Sequence, residues 1–462
     1  MNGVGTIAAA LAAALVFVTP LCAGSECESA SGVSPAPVWN PGEPCVTYWW
    51  GPGCPTRKCA WPLTDSWAEQ LVEGGFNTAW ASSSEDLDVA ARHGLRAIYA
   101  LDAVSVRGKI DIGDPSQRDA LEKRIRAVKN HPALYVWEYG DEFPATRFDE
   151  WARMRDFVAS IDPSRPLWCN LLPTYANNRQ LGIGGDIVSA YWEYVHRFFD
   201  EFRPGLATWD HYQFQRQGDS PDYFLNMEIV RQVAASRGVP FWNGVQACSW
   251  VPDGVNASPS APRDPGPDEL RFLAHTTAAY GASGIYYFTY TWGGHEGFTS
   301  WTNVLGRNEP CETNAKFEAA KTINREFVGF ARALRGMRFC GARFIGLQPP
   351  QATPWRGRPH LLEIKPTMPD RLLMPPELMD NTTLVTNFEN PNDGEKRLMV
   401  VNCDYRRART LQVRAKEPAE RLDPLSGGWQ IVGRTFVLAL PPGGGALLRL
   451  RPTAGSPQAH AK

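Results

Sequence analysis

The chain alternates. Between residues 45 and 337, eight short apolar runs of strand character are separated by longer segments whose apolar residues recur at three- and four-residue steps. The runs are Val46–Trp50, Phe76–Ala81, Arg96–Leu101, Leu134–Tyr139, Leu167–Leu172, Leu206–Trp209, Phe241–Val245 and Gly284–Thr291. Helical spacing fills the gaps at Asp65–Glu73, Ser116–Lys129, Phe148–Ile161, Tyr191–Phe202, Asp222–Arg237 and Asp268–Tyr280, and Asn314–Arg335 closes the series. Several of these segments open on Asp or Ser, as helix caps require. Eight strand runs with helical segments between them match the count of a (β/α)8 TIM barrel. A doubly wound open sheet has fewer strands and usually a glycine-rich phosphate turn, and no such turn follows the first strand.

After Gly336 the period shortens. Leu361–Ile364, Thr383–Phe388, Leu398–Asn402, Thr410–Val413, Trp429–Leu440 and Ala446–Leu450 are short alternating runs broken by Gly, Pro, Asn and Asp. The fold class expected is therefore α/β, a barrel over residues 45–337 followed by a small antiparallel β-sandwich over 338–452, with a disordered tail at 453–462.

The N-terminus carries an unbroken apolar run, Ile7–Val18, followed by Thr19-Pro20 and small residues around Ala23. The run is short for a bilayer span and suits the apolar region of a signal peptide over residues 1–23, although the stretch before it lacks Lys and Arg. A retained anchor is the alternative. Residues 24–44, rich in Ser, Pro and Gly, are expected as a leader segment. The mature chain is then secreted, periplasmic or extracellular, with no membrane contact after cleavage. Asn256 and Asn381 head glycosylation sequons.

Ten cysteines include Cys22 in the signal region. Cys169 lies within an apolar run and is expected to be a buried thiol. Cys27, Cys45, Cys54 and Cys59 could pair among themselves, Cys248 with Cys311, and Cys340 with Cys403. No Cys/His spacing suits zinc, so neither metal nor organic cofactor is expected. A net charge of -2 offers nothing to a nucleic acid. Aromatic residues make up 11%, with 17 Trp, enough to supply both a core and stacking faces for sugars.

In a barrel of this kind the chemistry sits at the C-terminal ends of the strands. The third run ends at Asp102. The fourth, in "ALYVWEYGDEFPA", ends at Asp141 and Glu142. The fifth runs into Asn170 and then Tyr175, and the sixth ends in Asp210, His211 and Tyr212. The seventh ends near Gln246 with Trp250 beyond, and the eighth in Tyr290 and Trp292, followed by His295 and Glu296. Carboxylates beside aromatic rings suit glycoside cleavage, in which one carboxylic acid protonates the leaving oxygen and a second group handles the anomeric carbon. Adjacent carboxylates also raise the pKa of one of the pair. Glu138, of the same strand parity as Glu142, reads as a structural buried carboxylate needing a partner such as Arg96 or a tyrosine.

"YVWEYGDEF", "ATWDHYQF" and "GASGIYYFTYTW", set on eight units with a trailing β domain, resemble the clan A glycoside hydrolases over residues 45 to about 450. The resemblance implies an O-glycosyl hydrolase acting on a β-linked oligo- or polysaccharide, with Glu142 as general acid/base and His211 and Tyr212 shaping the sugar site. Asn170, Gln246, Trp250, Tyr290, Trp292 and Glu296 would join them around the substrate. Two positions depart from the clan's pattern. Asp141 stands where it has Asn, and Gln246 stands near the place of its nucleophilic Glu. The Asp-Glu pair is also similar to that of β-N-acetylhexosaminidases that use substrate assistance, in which Asp141 would orient the acetamido group. A third route pairs Glu142 with Asp210 or Glu296 as base. Roughly 5–5.5 Å between the carboxylates favours direct attack, and roughly 6.5–9.5 Å leaves room for water. The rivals from other classes are a catalytically inactive carbohydrate-binding protein on the same barrel, for which Gln246 is the best support, and a surface or adhesion protein.

Overall fold

A computed structural model describes residues 39–54, 61–101, 110–249, 258–291, 297–299, 310–346, 361–366 and 382–450. The signal region, Cys27, Cys59, Asn256, Asn381 and the tail lie outside the described residues. Eight strands form one parallel sheet: β1 (Cys45–Trp49), β2 (Thr78–Ala81), β3 (Arg96–Ala100), β4 (Leu134–Asp141), β5 (Leu167–Leu171), β6 (Ala207–His211), β7 (Phe241–Gln246) and β8 (Gly284–Phe288). Their order is β1-β8-β7-β6-β5-β4-β3-β2, so each strand lies beside its neighbour in sequence and β1 returns to β8, as in a TIM barrel. Helices α1 (Asp65–Glu73), α2 (Ser84–Arg92), α3 (Pro115–Val128), α4 (Phe148–Ile161), α5 (Asn178–Leu181), α6 (Ile187–Arg197), α7 (Tyr223–Ser236), α8 (Pro267–Ala279) and α9 (Ala315–Leu334) connect them or close the series. Thr64, Asp114 and Asn314 cap α1, α3 and α9 through their side-chain oxygens.

The seam between β1 and β2 is closed largely by side chains. Asn77 donates its backbone N–H to the Val46 carbonyl (3.2 Å), accepts the Val46 N–H at Oδ1 (2.9 Å) and donates Nδ2 to the Pro44 carbonyl (2.8 Å). The Trp80 indole N–H donates to the Tyr48 carbonyl.

Aromatic rings fill much of the barrel interior. Trp168 lies 5.0 Å from Trp49, 5.5 Å from Trp80, 5.6 Å from Trp242 and 5.2 Å from Tyr286, centroid to centroid. Two glycines make room for them. A Cβ on Gly284 would lie 2.5 Å from Trp242, and one on Gly244 would lie 2.3 Å from the Tyr286 hydroxyl. Much of the tryptophan in the composition is thus core.

Residues 39–44, read from sequence as the end of a leader, seal the floor. Trp39 packs against Tyr135 (5.1 Å) and Trp242 (6.3 Å). Arg96 donates to the carbonyls of Pro41 (3.3 Å), Glu43 (2.7 Å) and Pro44 (3.1 Å) and to Asn77 Oδ1 (3.0 Å), with its guanidinium 4.1 Å from the Tyr135 ring centroid. Arg96 was one expected partner for Glu138. Glu138 Oε1 instead accepts the Gly140 N–H at 2.7 Å.

The C-terminal domain is a seven-stranded antiparallel sheet folded over its own core: β9 (Arg338–Ile345), β10 (Leu361–Pro366), β11 (Thr383–Glu389), β12 (Lys396–Asn402), β13 (Arg409–Leu422), β14 (Trp429–Leu440) and β15 (Gly445–Leu450). The order is β9-β11-β12-β15-β13-β10, with β14 paired to β13. Alternation divides its residues. Leu384, Met399, Val401 and Leu447 join the barrel's apolar core. Val385, Leu398, Val400 and Leu448 meet Leu411, Val413, Leu438 and Leu440 in a separate core.

The expected disulfides between Cys248 and Cys311 and between Cys340 and Cys403 are not formed. Cys248 donates its thiol to the Phe288 carbonyl, Cys340 is exposed, and Cys403 is buried. Cys169 is a buried thiol, as expected.

Arg96→Met keeps the aliphatic stem and removes every donor to the floor. It should lower stability by about 2–3 kcal/mol, read by urea denaturation; unchanged stability would mean that the floor holds without the guanidinium.

Candidate active site at the barrel mouth

The end of β4 is shaped by one contact. Gly140 has φ +114°, and a Cβ there would lie 2.1 Å from the indole of Trp151 on α4. The same indole stacks on Phe143 with centroids 3.7 Å apart and planes 4° from parallel. The chain therefore turns tightly over Trp151 between residues 140 and 143. Within the turn Glu142 takes φ +50°, the left-handed region that a non-glycine residue enters at a cost of about 1–3 kcal/mol. It is held there from two sides. The Glu142 N–H donates to the Asn170 carbonyl (3.1 Å), and the Phe143 carbonyl accepts the Tyr194 hydroxyl (3.0 Å). Strained backbone so firmly fixed is a mark of functional sites.

Beside this turn lies a buried polar chain. Asn170 donates its amide to Asp141 Oδ1 (3.2 Å) and accepts the Tyr286 hydroxyl at Oδ1 (2.6 Å). Asp210, only 6% exposed, accepts the Tyr212 hydroxyl at Oδ2 (2.7 Å). Its other oxygen, Oδ1, is buried without a hydrogen-bond partner among the described residues. Burial pushes the Asp210 carboxyl up to about 6, against the opposing pull of the Tyr212 hydroxyl and the nearby Asn170 amide. The Tyr286 hydroxyl is raised well above the usual tyrosine range by burial, and then by the charges of Asp210, Asp141 and Glu142. Tyr175 is raised by burial and by Asp210 and Glu142. Glu142, just after β4, and Asp210, on β6, thus both act on these two hydroxyl groups.

The aromatic wall of the mouth runs from Trp50 to Phe288 (6.1 Å) and on to Tyr212 (5.6 Å). Trp50 also takes a left-handed backbone, φ +58°, and its carbonyl accepts Tyr290 N–H (3.1 Å) and Thr289 Oγ1 (2.8 Å). Tyr175 leaves its ring 44% exposed while its hydroxyl accepts the Tyr212 N–H (3.3 Å).

Three residues expected around the substrate are placed otherwise. His211 is fully buried, with Nδ1 on Asn226 Oδ1 (3.1 Å) and Nε2 on Ser220 Oγ (2.8 Å). Burial lowers it to about 4, so it is neutral and braces the loop after β6. Gln246 is also fully buried. Its Oε1 accepts the Phe214 N–H (2.9 Å) and its Nε2 donates to the carbonyls of Phe214 (3.0 Å) and Arg263 (2.5 Å). Tyr290 lies beyond the end of β8, buried against Tyr48, Trp67 and Phe76, with its hydroxyl on Gln70 Oε1 (2.7 Å). Asp102, Trp250, Trp292, His295 and Glu296 lie outside the described residues. Tyr286 was missed in the sequence. It sits inside an apolar run, and only its shared parity with Gly284 and Phe288 signals that it faces the barrel interior.

No protein-family model matches the chain, and no curated relative matches it. Solved structures similar to it include the endo-β-1,4-mannanase from Thermotoga petrophila, at 10% identity over 87% of this chain and 97% of that one, with a TM-score of 0.43. A family 5 glycoside hydrolase from Bacteroides vulgatus matches at 11% identity over 85% and 86%, with a TM-score of 0.47. A family 27 β-L-arabinopyranosidase from Geobacillus stearothermophilus matches at 10% identity over 91% and 98%, with a TM-score of 0.45. All three scores lie below 0.5, so the chemistry has to be argued from the side chains of this mouth.

A carboxyl whose folded pKa is raised stabilises the fold below its unfolded pKa and loses that contribution as pH rises through the folded value. For Asp210 the window runs from about 4 to about 6. Asp210→Asn should therefore stabilise the protein by about 1–3 kcal/mol at pH 7, with the gain shrinking as pH falls through that window. Urea denaturation at several pH values reads it; an equal effect at pH 7 and pH 4 would contradict a costly buried charge.

Proposed function

We propose that this chain is a secreted glycoside hydrolase acting on β-linked glycans, with Glu142 as general acid/base and Asp210 as the second carboxylate. The observation that carries the reading is the bonded chain Tyr286–Asn170–Asp141 beside the left-handed Glu142, with Glu142 and Asp210 both acting on the hydroxyls of Tyr286 and Tyr175, next to the aromatic wall of Trp50, Phe288 and Tyr212. Secretion rests on the apolar run at Ile7–Val18.

Glu142 donates its proton to the glycosidic oxygen as the bond from that oxygen to the anomeric carbon breaks. The ionised Asp210 takes a proton from the attacking water, whose oxygen joins the anomeric carbon. Tyr212 favours the ionised form of Asp210 through the bond to Oδ2. Asn170 and Tyr286 brace Asp141 beside the acid. Gln246 needs no role as a lost nucleophile, since its amide is spent on the Phe214 and Arg263 backbone.

The test is hydrolysis of a panel of aryl β-glycosides, including β-N-acetylhexosaminides, by the wild-type protein and its variants. Glu142→Gln and Asp210→Asn should each lower kcat/KM by about 10²–10⁴-fold. Because Asp210 acts ionised, kcat/KM should rise with pH through about 6, and Tyr212→Phe should move that limb to higher pH. No turnover by the wild-type protein on any glycoside would overturn the reading. A profile with no rising limb near pH 6, falling instead through that pH, would give the proton to Asp210 and exchange the two roles.

A further inference from the structure

The β domain reaches the loop after β6 through Tyr405. Tyr405 follows β12 and is buried, with its ring 5.2 Å from Phe214 and 5.8 Å from Phe272. Its hydroxyl donates to both carboxylate oxygens of Asp219, at 2.8 Å and 3.0 Å. The loop that presents it is itself braced. Asp404 Oδ1 accepts the N–H groups of Arg406 (3.0 Å) and Arg407 (3.1 Å), and the Asp404 carbonyl accepts the Gly443 N–H (3.1 Å).

Asp219 belongs to a short hairpin, Phe214–Gln215 paired with Gly218–Asp219, which directly follows the end of β6. The hairpin is fastened from several sides. The segment after β7 holds its backbone, with the Arg216 N–H on the Ala261 carbonyl (3.0 Å), the Gln217 N–H on the Pro259 carbonyl (2.9 Å) and the Arg263 N–H on the Phe214 carbonyl (3.0 Å). Gln246 holds the Phe214 backbone from β7. Ser220, the residue after Asp219, holds His211 through its hydroxyl (2.8 Å) and the Gln213 carbonyl through its N–H (2.7 Å). Tyr405 adds a contact from the other domain. Between these points lie Asp210 and Tyr212, whose mutual hydrogen bond sets the second carboxylate. A shift of the hairpin is transmitted through Ser220 and His211 to the residues on either side of His211.

We infer that Tyr405 is a positioning residue. Through Asp219 it locks the hairpin after β6 and so fixes Asp210 and Tyr212 at the mouth, which makes the β domain part of the active site. The kinetic consequences rest on the glycosidase reading; the structural lock does not.

The test compares three variants of the full chain. Tyr405→Phe keeps the ring and removes only the hydroxyl. Asp219→Asn keeps an acceptor for that hydroxyl. Arg271→Met removes a different bridge to the β domain, the bond to the Pro442 carbonyl (3.0 Å), and does not touch the hairpin. In Tyr405→Phe the amides of residues 211–220 should exchange with deuterium about tenfold faster, the loss of roughly one hydrogen bond. On the best aryl glycoside its kcat should fall about tenfold while KM stays within about twofold. Asp219→Asn should recover most of both, and Arg271→Met should change neither. Wild-type exchange at residues 211–220 in Tyr405→Phe would overturn the lock. An equal loss of kcat in Arg271→Met would reduce Tyr405 to general domain adhesion. Glu142→Gln, assayed alongside, reports on the glycosidase reading alone, and without any turnover the exchange data still decide the lock.

Discussion

The mouth of the barrel is organised by the contact between Gly140 and the indole of Trp151. No other residue type fits there, because a Cβ would lie inside the ring's van der Waals envelope and the backbone is left-handed. Once β4 lies flat on that ring, Phe143 can stack on it and the two carboxylates between them have little freedom. The left-handed Glu142 is then a consequence of geometry already fixed on both sides. Its N–H is taken by Asn170, and the carbonyl of Phe143 by Tyr194. Strain of about 1–3 kcal/mol persists only when the surroundings over-determine it, and here β5, α4 and α6 all contribute.

The electrostatics of the site follow from burial more than from pairing. Among the described residues, no Arg or Lys is bonded to Asp210. It is held by the Tyr212 hydroxyl with the Asn170 amide nearby, and its charge carries a desolvation cost of about 3 kcal/mol at most. The rest of the barrel can bear that cost because its interior is dense with large rings, where Trp49, Trp80, Trp168 and Trp242 meet. His211 makes the complementary point. Burial depresses its pKa to about 4, so it adds no positive charge beside Asp210 and leaves the carboxyl raised.

The barrel was legible in the sequence because parallel strands buried on both faces read as apolar runs, and helices between them show their three- and four-residue spacing. The helix α2 was not picked out, although Ser83 and Asp86 form a capping box at its start. The candidate pair at the end of β4 was legible for the same reason as the barrel, since strand ends set the mouth. What was not legible depends on partners distant in sequence. His211 and Gln246 stand at strand ends as expected, yet Asn226, Ser220 and the Phe214 backbone consume their polar atoms. Tyr290 was assigned to the mouth on the assumption that the eighth strand runs to Thr291. It stops at Phe288, and the ring falls outside the barrel. The cysteine pairs failed on geometry, because sequence spacing says nothing about whether two thiols approach each other. The floor built by residues 39–44 was hidden by a composition that reads as linker, although the carbonyls of Pro41, Glu43 and Pro44 are the groups that Arg96 needs.

The β domain is bound to the barrel by the pleat itself. Along β11 and β12, alternate residues divide between two cores, Leu384, Met399 and Val401 toward the barrel and Val385, Leu398 and Val400 toward the domain's interior. A one-residue slip in either strand would exchange those two sets and expose the wrong face to each core. The same register therefore fixes the chain that leaves β12 and carries Tyr405 to Asp219. One support of the hairpin is thus placed by a ladder of backbone bonds in another domain. On the barrel side Gln246, Ser220 and the backbone of residues 259–263 hold the same hairpin, and a carboxylate as costly to bury as Asp210 is best placed where its support is rigid.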